Sequence, residues 1–597
     1  MEVNKSSPVF ITEKKGAKRQ RTMNNQHFVN KAFRVFAINS ILASAGVVLG
    51  TFVDAIILGN AFGETGLSVL AVSMPIYMVY NLFGYAFGVG GSLKVSESIG
   101  AEDKQGARTY FTQAIFFALV IGLLSTLLGM LFLPQIIAAT GGSGLDTAID
   151  YLRPVILAAP IFILAPVISL LIRSDADPFL STVGISLSVV VNLVLDLVFI
   201  FGLNMGVFGG ALAMVIGQFV AVAVYSVHFF KKNSHLKFCR APLSLKDGYH
   251  LFHGGFGSGS AFIYQGISLV VINNLLSVTV GVSGLAVYNI LFNVSLFAYA
   301  IFDGISLALA PLVATFAGEK DTAGVYNTMH LSLKTAVLLS IGSGLILIVF
   351  AAPIASMFGV AENAMVVVQT IRIFAFGVVQ TCINCVMAHF YQTIKRPTLA
   401  GVIYFMRGFL LLIAFSAWLI PIWGVMGTAL AIVGSETVTM LLMFMAAVVL
   451  KKQGGYRNVL LFREPVIAKD NIYETTLSSD IKELENCVVE IEAFCERQDI
   501  DTKNAYFINL TIEELAANII NFGFNDGKPH FIHIKIALFD GDIYIRLRDD
   551  STTYNPFEES EKPDEALDYL GVSIVRKKAK SFAYNRTLVF NNLLIIL

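Results

Sequence analysis

The chain has 597 residues, 55% of them hydrophobic and 14% charged, with 42 basic and 42 acidic side chains in balance and a mean hydropathy of +0.70. That places it far outside the range of soluble domains and reads as a polytopic membrane protein. The five cysteines (Cys239, Cys382, Cys385, Cys487, Cys495) make no disulfide framework, and the Cys382/Cys385 pair lies in an apolar helical pattern with no second ligand pair nearby.

Residues 1–30 form a basic, cytoplasmic N-terminal tail with Lys14, Lys15, Lys18, Arg19 and Arg21. No short apolar core ends there in a small-residue cleavage site, so the first span is expected to act as the targeting signal. Twelve apolar segments of spanning length follow: six in residues 31–231, a basic linker at 232–250, and six more in residues 251–450. Alternate breaks carry the bases, namely Lys104 and Arg108, Arg173, the Lys231 to Lys246 cluster, Lys320, and Lys395 with Arg396. The other breaks hold acids such as Glu64, Asp146 and Glu362 and no Lys or Arg. The positive-inside rule then puts both termini on the cytoplasmic side of a plasma membrane.

The two halves repeat each other. Gly66-Leu-Ser-Val69 returns as Gly284-Leu-Ala-Val287, the Gly100/Asp103 end of that hairpin as Gly318/Asp321, and the run from Gly206 as the run from Gly424, all at an offset of 218 residues. Six spans per half give parallel rather than inverted repeats. The expected fold is therefore all-α, twelve transmembrane helices in two six-helix lobes, a common architecture for alternating access. No filter-like loop or charged ring suggests a channel.

Three polar residues stand out in the first half. Asp54 lies late in the first span, where an acid is a functional-site hypothesis by default. In the fifth span, Asn192 and Asp196 share a helix face at i, i+4 spacing. The depths of Asp54 and Asp196 differ by only roughly 5 Å at 1.5 Å per residue, so the two acids can face each other. Such a set suits a coupling cation, either a proton shared between carboxylates or a sodium ion held by Asp54, Asn192 and Asp196. The repeat-related positions are Ile272 and Ala414, so the pair is not scaffold common to both halves. The second half has Asp303, Arg372, Arg407 and Glu436, for which pairing such as Glu436 with Arg407 is the expectation.

These residues resemble a known family. The runs VDAIILGNAFGETGLSVLAVSMPIY, GVGGSLKVSESIGAEDKQGA and NLVLDLVFIFGLNMGVFGGALAM look like the multidrug and toxic compound extrusion (MATE) transporters, nearest their bacterial branch, over about residues 30 to 450. The resemblance implies a proton- or sodium-coupled antiporter that exports amphipathic organic cations from cytoplasm or lipid, with Asp54, Asn192 and Asp196 as its cation site and no cofactor for transport. Met214 stands where such proteins often have a sodium-ligating threonine, and a thioether is a poor ligand for a hard cation.

After a linker at 451–469 the composition turns polar, and residues 470–597 read as a soluble α/β sandwich. Helices are expected at about Asp480 to Arg497, Thr502 to Phe522 and Pro563 to Lys580, with strands near His530 to Leu538 and Ile543 to Arg548 and at the terminus. This tail resembles the histidine-kinase-like ATPase fold, nearest the anti-sigma-factor serine kinases. By that resemblance Glu514 is the general base, Asn518 holds magnesium, Asp549 receives adenine, and Gly571 is the glycine kept near the phosphates. The other usual glycines are Ser551 and Thr553, Tyr569 precedes Gly571, and Phe522 replaces a basic residue, so ATP and magnesium binding is eroded. The tail is then regulatory, with a cytoplasmic protein as the implied partner; nothing implies nucleic acid. The alternatives are a lipid or saccharide flippase of the same superfamily and a membrane-tethered signalling protein with a serine-kinase-like domain.

Overall fold

The computed structural model describes residues 25–597 apart from 63, 141–145, 232–233, 358–363, 455, 457, 463–468, 525, 540 and 560–569. The basic residues before Asn25, together with Glu362 and Tyr569, lie outside the described residues. The chain forms two compact units. One comprises Phe33–Glu319 and Thr328–Arg463; the other gathers residues 25–32, Lys320–Asn327 and the tail. The division therefore differs from the expected boundaries, because the start of the first helix and one interhelical junction belong with the tail.

The helices run α1 (Gln26–Phe62), α2 (Glu64–Gly100), α3 (Lys104–Leu131), α4 (Leu133–Ala139), α5 (Asp146–Leu157), α6 (Ala159–Ser174), α7 (Pro178–Asp196) and α8 (Gly206–Ser226). They continue as α9 (Leu245–Thr279), α10 (Val282–Gly318), α11 (Thr322–Met357), α12 (Ala364–Ala375), α13 (Val378–Thr393), α14 (Pro397–Phe405), α15 (Leu411–Trp423) and α16 (Met426–Gly454). Among the described residues, nine helices are long and apolar enough to cross a membrane, or eleven if each of two bent pairs is one span. The bent pairs are α5 with α6 (51°) and α12 with α13 (44°). The bends were not foreseen, because the apolar run is continuous through both.

Helix ends follow local chemistry. Asp103 caps α3 by accepting from Gly106 N, and Asp177 caps α7 by accepting from Leu180 N just ahead of Pro178. The repeat legible at 218 residues recurs in the backbone. Gly206 and Gly424 both take left-handed φ, +64° and +57°, as do Glu102 and Lys320 at +61° and +57°. The bends at Ala158 and Phe376 keep the same spacing. The repeats also cross reciprocally. A Cβ on Gly100 would lie 2.2 Å from Thr315 O, and one on Gly318 would lie 2.3 Å from Glu97 O. Small residues let these backbones meet, as membrane helix pairs require.

The tail is a five-stranded antiparallel sheet, β1 (Ile472–Ser478), β2 (Phe531–Phe539), β3 (Asp542–Asp549), β4 (Ser581–Thr587) and β5 (Phe590–Ile596), in the order β1-β2-β3-β5-β4. Its helices are α17 (Ile481–Arg497), α18 (Thr502–Asn518), α19 (Pro556–Glu559) and α20 (Leu570–Lys578). Strand alternation decides the core. Ile532, Ile534, Ile536, Ile545, Leu547, Leu593 and Ile595 form one buried cluster with Leu484, Ile491, Ile512, Leu515 and Val572 of the helices. β1 was not anticipated, and α18 gives way to a π turn, Ile519–Gly523, before Phe524.

The opposite, polar face of this sheet is covered within the same unit. Lys31 Nζ donates to Asp550 Oδ2 at 2.8 Å, His27 lies 3.4 Å from the same oxygen, and Asn25 Nδ2 donates to Asp321 Oδ2 at 2.6 Å. Phe28 sets its ring edge-on to Phe590, and Lys320 stands over the ring of Phe539.

Candidate functional site

The three residues singled out from the sequence come together. Asn192 on α7 donates its Nδ2 to Asp54 Oδ1 at 2.5 Å and to Asp196 Oδ2 at 3.3 Å, so one amide links carboxylates from the first and fifth spans. Asn192 and Asp196 are buried, and Asp54 is half-buried. The i, i+4 spacing supplies the Asn192–Asp196 contact, and the packing of α1 on α7 supplies Asp54. α8 completes the wall: a Cβ on Gly210 would lie 3.6 Å from Asp196 Oδ1.

Two buried acceptors, Asn192 Oδ1 and Asp196 Oδ1, find no hydrogen-bond partner. Like charges this close cannot both stay ionised in a low-dielectric bundle without a proton or a cation between them. The arrangement therefore fits a small cation or a proton. Around it, Tyr77 donates its hydroxyl to Met214 Sδ at 2.9 Å, which holds the thioether in place. Tyr77 was not anticipated, since an aromatic in an apolar span carries no distinguishing signal. Nor was the π turn Leu197–Gly202 that begins right after Asp196 and shifts the helical register there.

The second repeat has a different cluster. Arg407, inside a π turn at Met406–Leu410, grips Glu436 Oε1 at 3.0 Å through Nε and at 2.6 Å through a terminal nitrogen, while Asn384 Nδ2 donates to Glu436 Oε2 at 2.8 Å. The expected Arg407–Glu436 pair thus forms. Arg173, placed from sequence at a basic cytoplasmic edge, is buried instead, donating to Ser181 Oγ at 2.7 Å and Ser40 Oγ at 3.0 Å. Cys382 and Cys385 are free and buried, and among the described residues no His, Cys, Asp and Glu cluster could hold a metal.

In the tail, the residues assigned to nucleotide chemistry are arranged as follows. Asp549, 1% exposed, accepts from Ser551 N at 3.0 Å, Ser551 Oγ at 2.5 Å and Asn591 Nδ2 at 2.9 Å. Burial raises the pKa of its carboxyl, with the Ser551 and Asn591 hydrogen bonds opposing. Gly571, at the start of α20, stands against Glu514, so that a Cβ there would lie 1.9 Å from Glu514 Cδ. Burial, and then neighbouring Glu513, raises the Glu514 pKa. Asn518 Nδ2 is spent on Glu514 O at 2.7 Å, although its Oδ1 is buried without a partner. A cavity of about 430 Å³ lies beside these groups, lined by Tyr506, Phe507, Leu510, Glu514, Leu570, Gly571 and Ile574. The three hydrogen bonds to Asp549 thus all fall on its Oδ1, and Gly571 faces the carboxyl end of Glu514.

The MatE family profile matches residues 40–198 and 259–419, more than half of the sequence and both repeats. The chain belongs to the MatE family. It is similar to the multidrug export protein MepA of Staphylococcus haemolyticus, 29% identical over 288 residues, which are 48% of this chain and 64% of that protein. The MepA proteins of Staphylococcus saprophyticus (26% identical; 52% and 69%) and of Staphylococcus aureus strain MRSA252 (27%; 48% and 64%) are similar too. The matched region thus spans a little under two thirds of the first of these relatives. Among solved structures, an outward-facing multidrug-resistance MATE transporter of the MOP superfamily superposes with a TM-score of 0.67 at 20% identity, over 71% of this chain and 97% of that one. A MOP superfamily transporter from Pyrococcus furiosus gives 0.66 at 20% identity, over 70% and 95%. The chain therefore has the helical MATE-type fold of a multi-pass membrane transporter.

Proposed function

We propose that this MatE protein is a cation-coupled antiporter that exports amphipathic organic cations from the cytoplasm, with Asp54, Asn192 and Asp196 as the coupling site. The observation that carries this is the single amide bridging two carboxylates from different spans, with two buried oxygens left over to take a cation. The named activity of the MepA relatives, multidrug export, supports the direction and the substrate class. In this reading α2 serves as the second span, making twelve, and both termini are cytoplasmic.

The coupling ion is more readily a proton. With Met214 tied to Tyr77, α8 offers a soft sulfur where a hard cation needs oxygen, while the paired acids can hold one proton between them. The cycle follows. Protonation of the pair from outside neutralises its repulsion and lets the span around it repack; release inside restores the charge and resets access for the next substrate. The tail is a regulatory module with a degenerate nucleotide site rather than a working kinase.

The test is dye efflux from vesicles holding the purified full chain, with an imposed proton or sodium gradient. Wild type should extrude ethidium when the proton gradient is imposed, and Asp54→Asn should not; gradient-driven efflux that survives this substitution sinks the reading.

A further inference from the structure

The tail's polar sheet face is not left to water. Because β3 alternates, Asp549 points to the helix-covered face and the next residue, Asp550, to the polar one. There Asp550 accepts from Lys31, from His530 Nδ1 at 3.1 Å and from Phe531 N at 3.0 Å, with His27 also against it. Its side chain is 2% exposed. Asp321, 4% exposed, accepts from Asn25, sits 3.6 Å from Lys535 Nζ and takes the backbone N–H of Gly324. His533 and Arg548 are buried on the same face, Arg548 donating to Asn592 Oδ1 at 2.8 Å.

The two segments held this way come from different repeats. Residues 25–32 open α1, the helix that carries Asp54, and Lys320–Asn327 joins α10 to α11. Alternating access moves one repeat against the other. Any such motion that separates the start of α1 from the α10–α11 junction must break the contacts to Asp550 or those to Asp321.

We propose that the tail is an intramolecular latch: its polar sheet face fixes the spacing between the start of α1 and the α10–α11 junction and thereby slows the transport cycle. The chemistry suits a reversible device. The contacts are ion pairs and charge-assisted hydrogen bonds whose carboxylates are buried while Lys31 and His27 stay partly exposed, geometrically specific yet costing desolvation of the acids to form. A face of branched aliphatic side chains would instead hold permanently. The latch rests on the antiporter reading for its effect on transport, but its existence is a matter of local protection.

Both are measured on the full-length protein. Asp550→Asn and Lys31→Met each remove one charge from the same contact; the first leaves the basic start of α1, and so the topology signal, intact. In either variant, amide exchange across 25–32 and 320–327 should rise about tenfold or more, and the initial rate of gradient-driven ethidium efflux should rise about fivefold or more, in the range of ordinary coupling between sites. The double variant should exceed neither single one by much, because the two residues share one contact. Unchanged exchange overturns the latch. So does raised exchange with an efflux rate equal to or below that of wild type. If wild type moves no dye under either gradient, the antiporter reading has failed, and the claim that the latch slows transport falls with it, while exchange alone decides whether the contact holds.

Discussion

Asn192 is the residue on which the candidate site turns, because its one amide bonds both carboxylates. Hydrogen bonds to charged groups contribute about 1.5–3 kcal/mol each, so Asn192→Ala should lower gradient-driven efflux by about tenfold or more while the protein still folds. Efflux and yield from the same vesicle preparation check this; undiminished efflux would show that the carboxylates hold their geometry unaided. In the tail, a Cβ on Gly571 would meet only the carboxyl end of Glu514, 1.9 Å from its Cδ. Because that half-buried end borders a cavity and can swing away, Gly571→Ala should cost less than about 1 kcal/mol. Amide exchange over Thr502–Asn518 and Leu570–Lys578 in the full chain reads it, and a large loss of protection there would show that Glu514 is fixed in place.

At the scale of elements, the segment after α8 is tied back to the α6–α7 turn. Asp175 accepts from His228 Nε2 at 2.7 Å, His235 Nδ1 at 2.6 Å and Ser234 Oγ at 2.9 Å, while Asp177 accepts from His228 Nδ1 at 2.9 Å and from Lys231. Burial would raise the Asp177 pKa, but the His228 and Lys231 contacts outweigh it and hold it at about 2, against an ordinary 3.8. A depressed carboxylate stabilises the fold above its unfolded pKa and loses that contribution as pH falls through the folded one. Wild type should therefore melt above Asp177→Asn at pH 7, with the gap closing between pH 3.8 and about 2. Thermal melts at stepped pH measure it, and a gap independent of pH would place the effect elsewhere. Asp175 is lowered in the same sense, its burial outweighed by His228 and His235.

For the whole molecule, the two repeats meet through matched crossings, Gly100 on Thr315 and Gly318 on Glu97. A Cβ added at Gly100 or Gly318 would lie 2.2 or 2.3 Å from a backbone oxygen of the other repeat, where no side chain can yield. Gly100→Ala and Gly318→Ala should each cost about 1–3 kcal/mol and lower the melting temperature by similar amounts. A fall in only one would mean that the crossings are not equivalent. In the other unit, Asp550 and Asp321 are both held below the usual carboxylate range. Burial opposes this in each, and is outweighed by His27 and Lys31 for Asp550 and by Lys535 and Arg548 for Asp321. The contacts of the latch accordingly persist at neutral pH and weaken only in acid, below about pH 4.

The amino-acid sequence alone determined the membrane character, the duplication, the helical elements and the identity of the three polar residues. Those features reside in hydropathy, in a fixed offset and in i, i+4 spacing, all of which are local or periodic. The α17 and α18 boundaries were equally legible, since Asp480 and Asp501 are explicit N-caps. Other features are set by contacts between residues far apart in the chain. The bends at Ala158 and Phe376, the π turn just after Asp196 and the one that contains Arg407 leave no break in the helical pattern, so periodicity cannot register them. The burial of Arg173 against Ser40 and Ser181 depends on which helices pack together, and no charge count reveals that. Asp54 reads alike in both accounts as an acid in a span. Only the packing of α1 on α7 decided that it shares an amide with Asp196, because a hydrogen bond across 138 residues has no counterpart in the local chain.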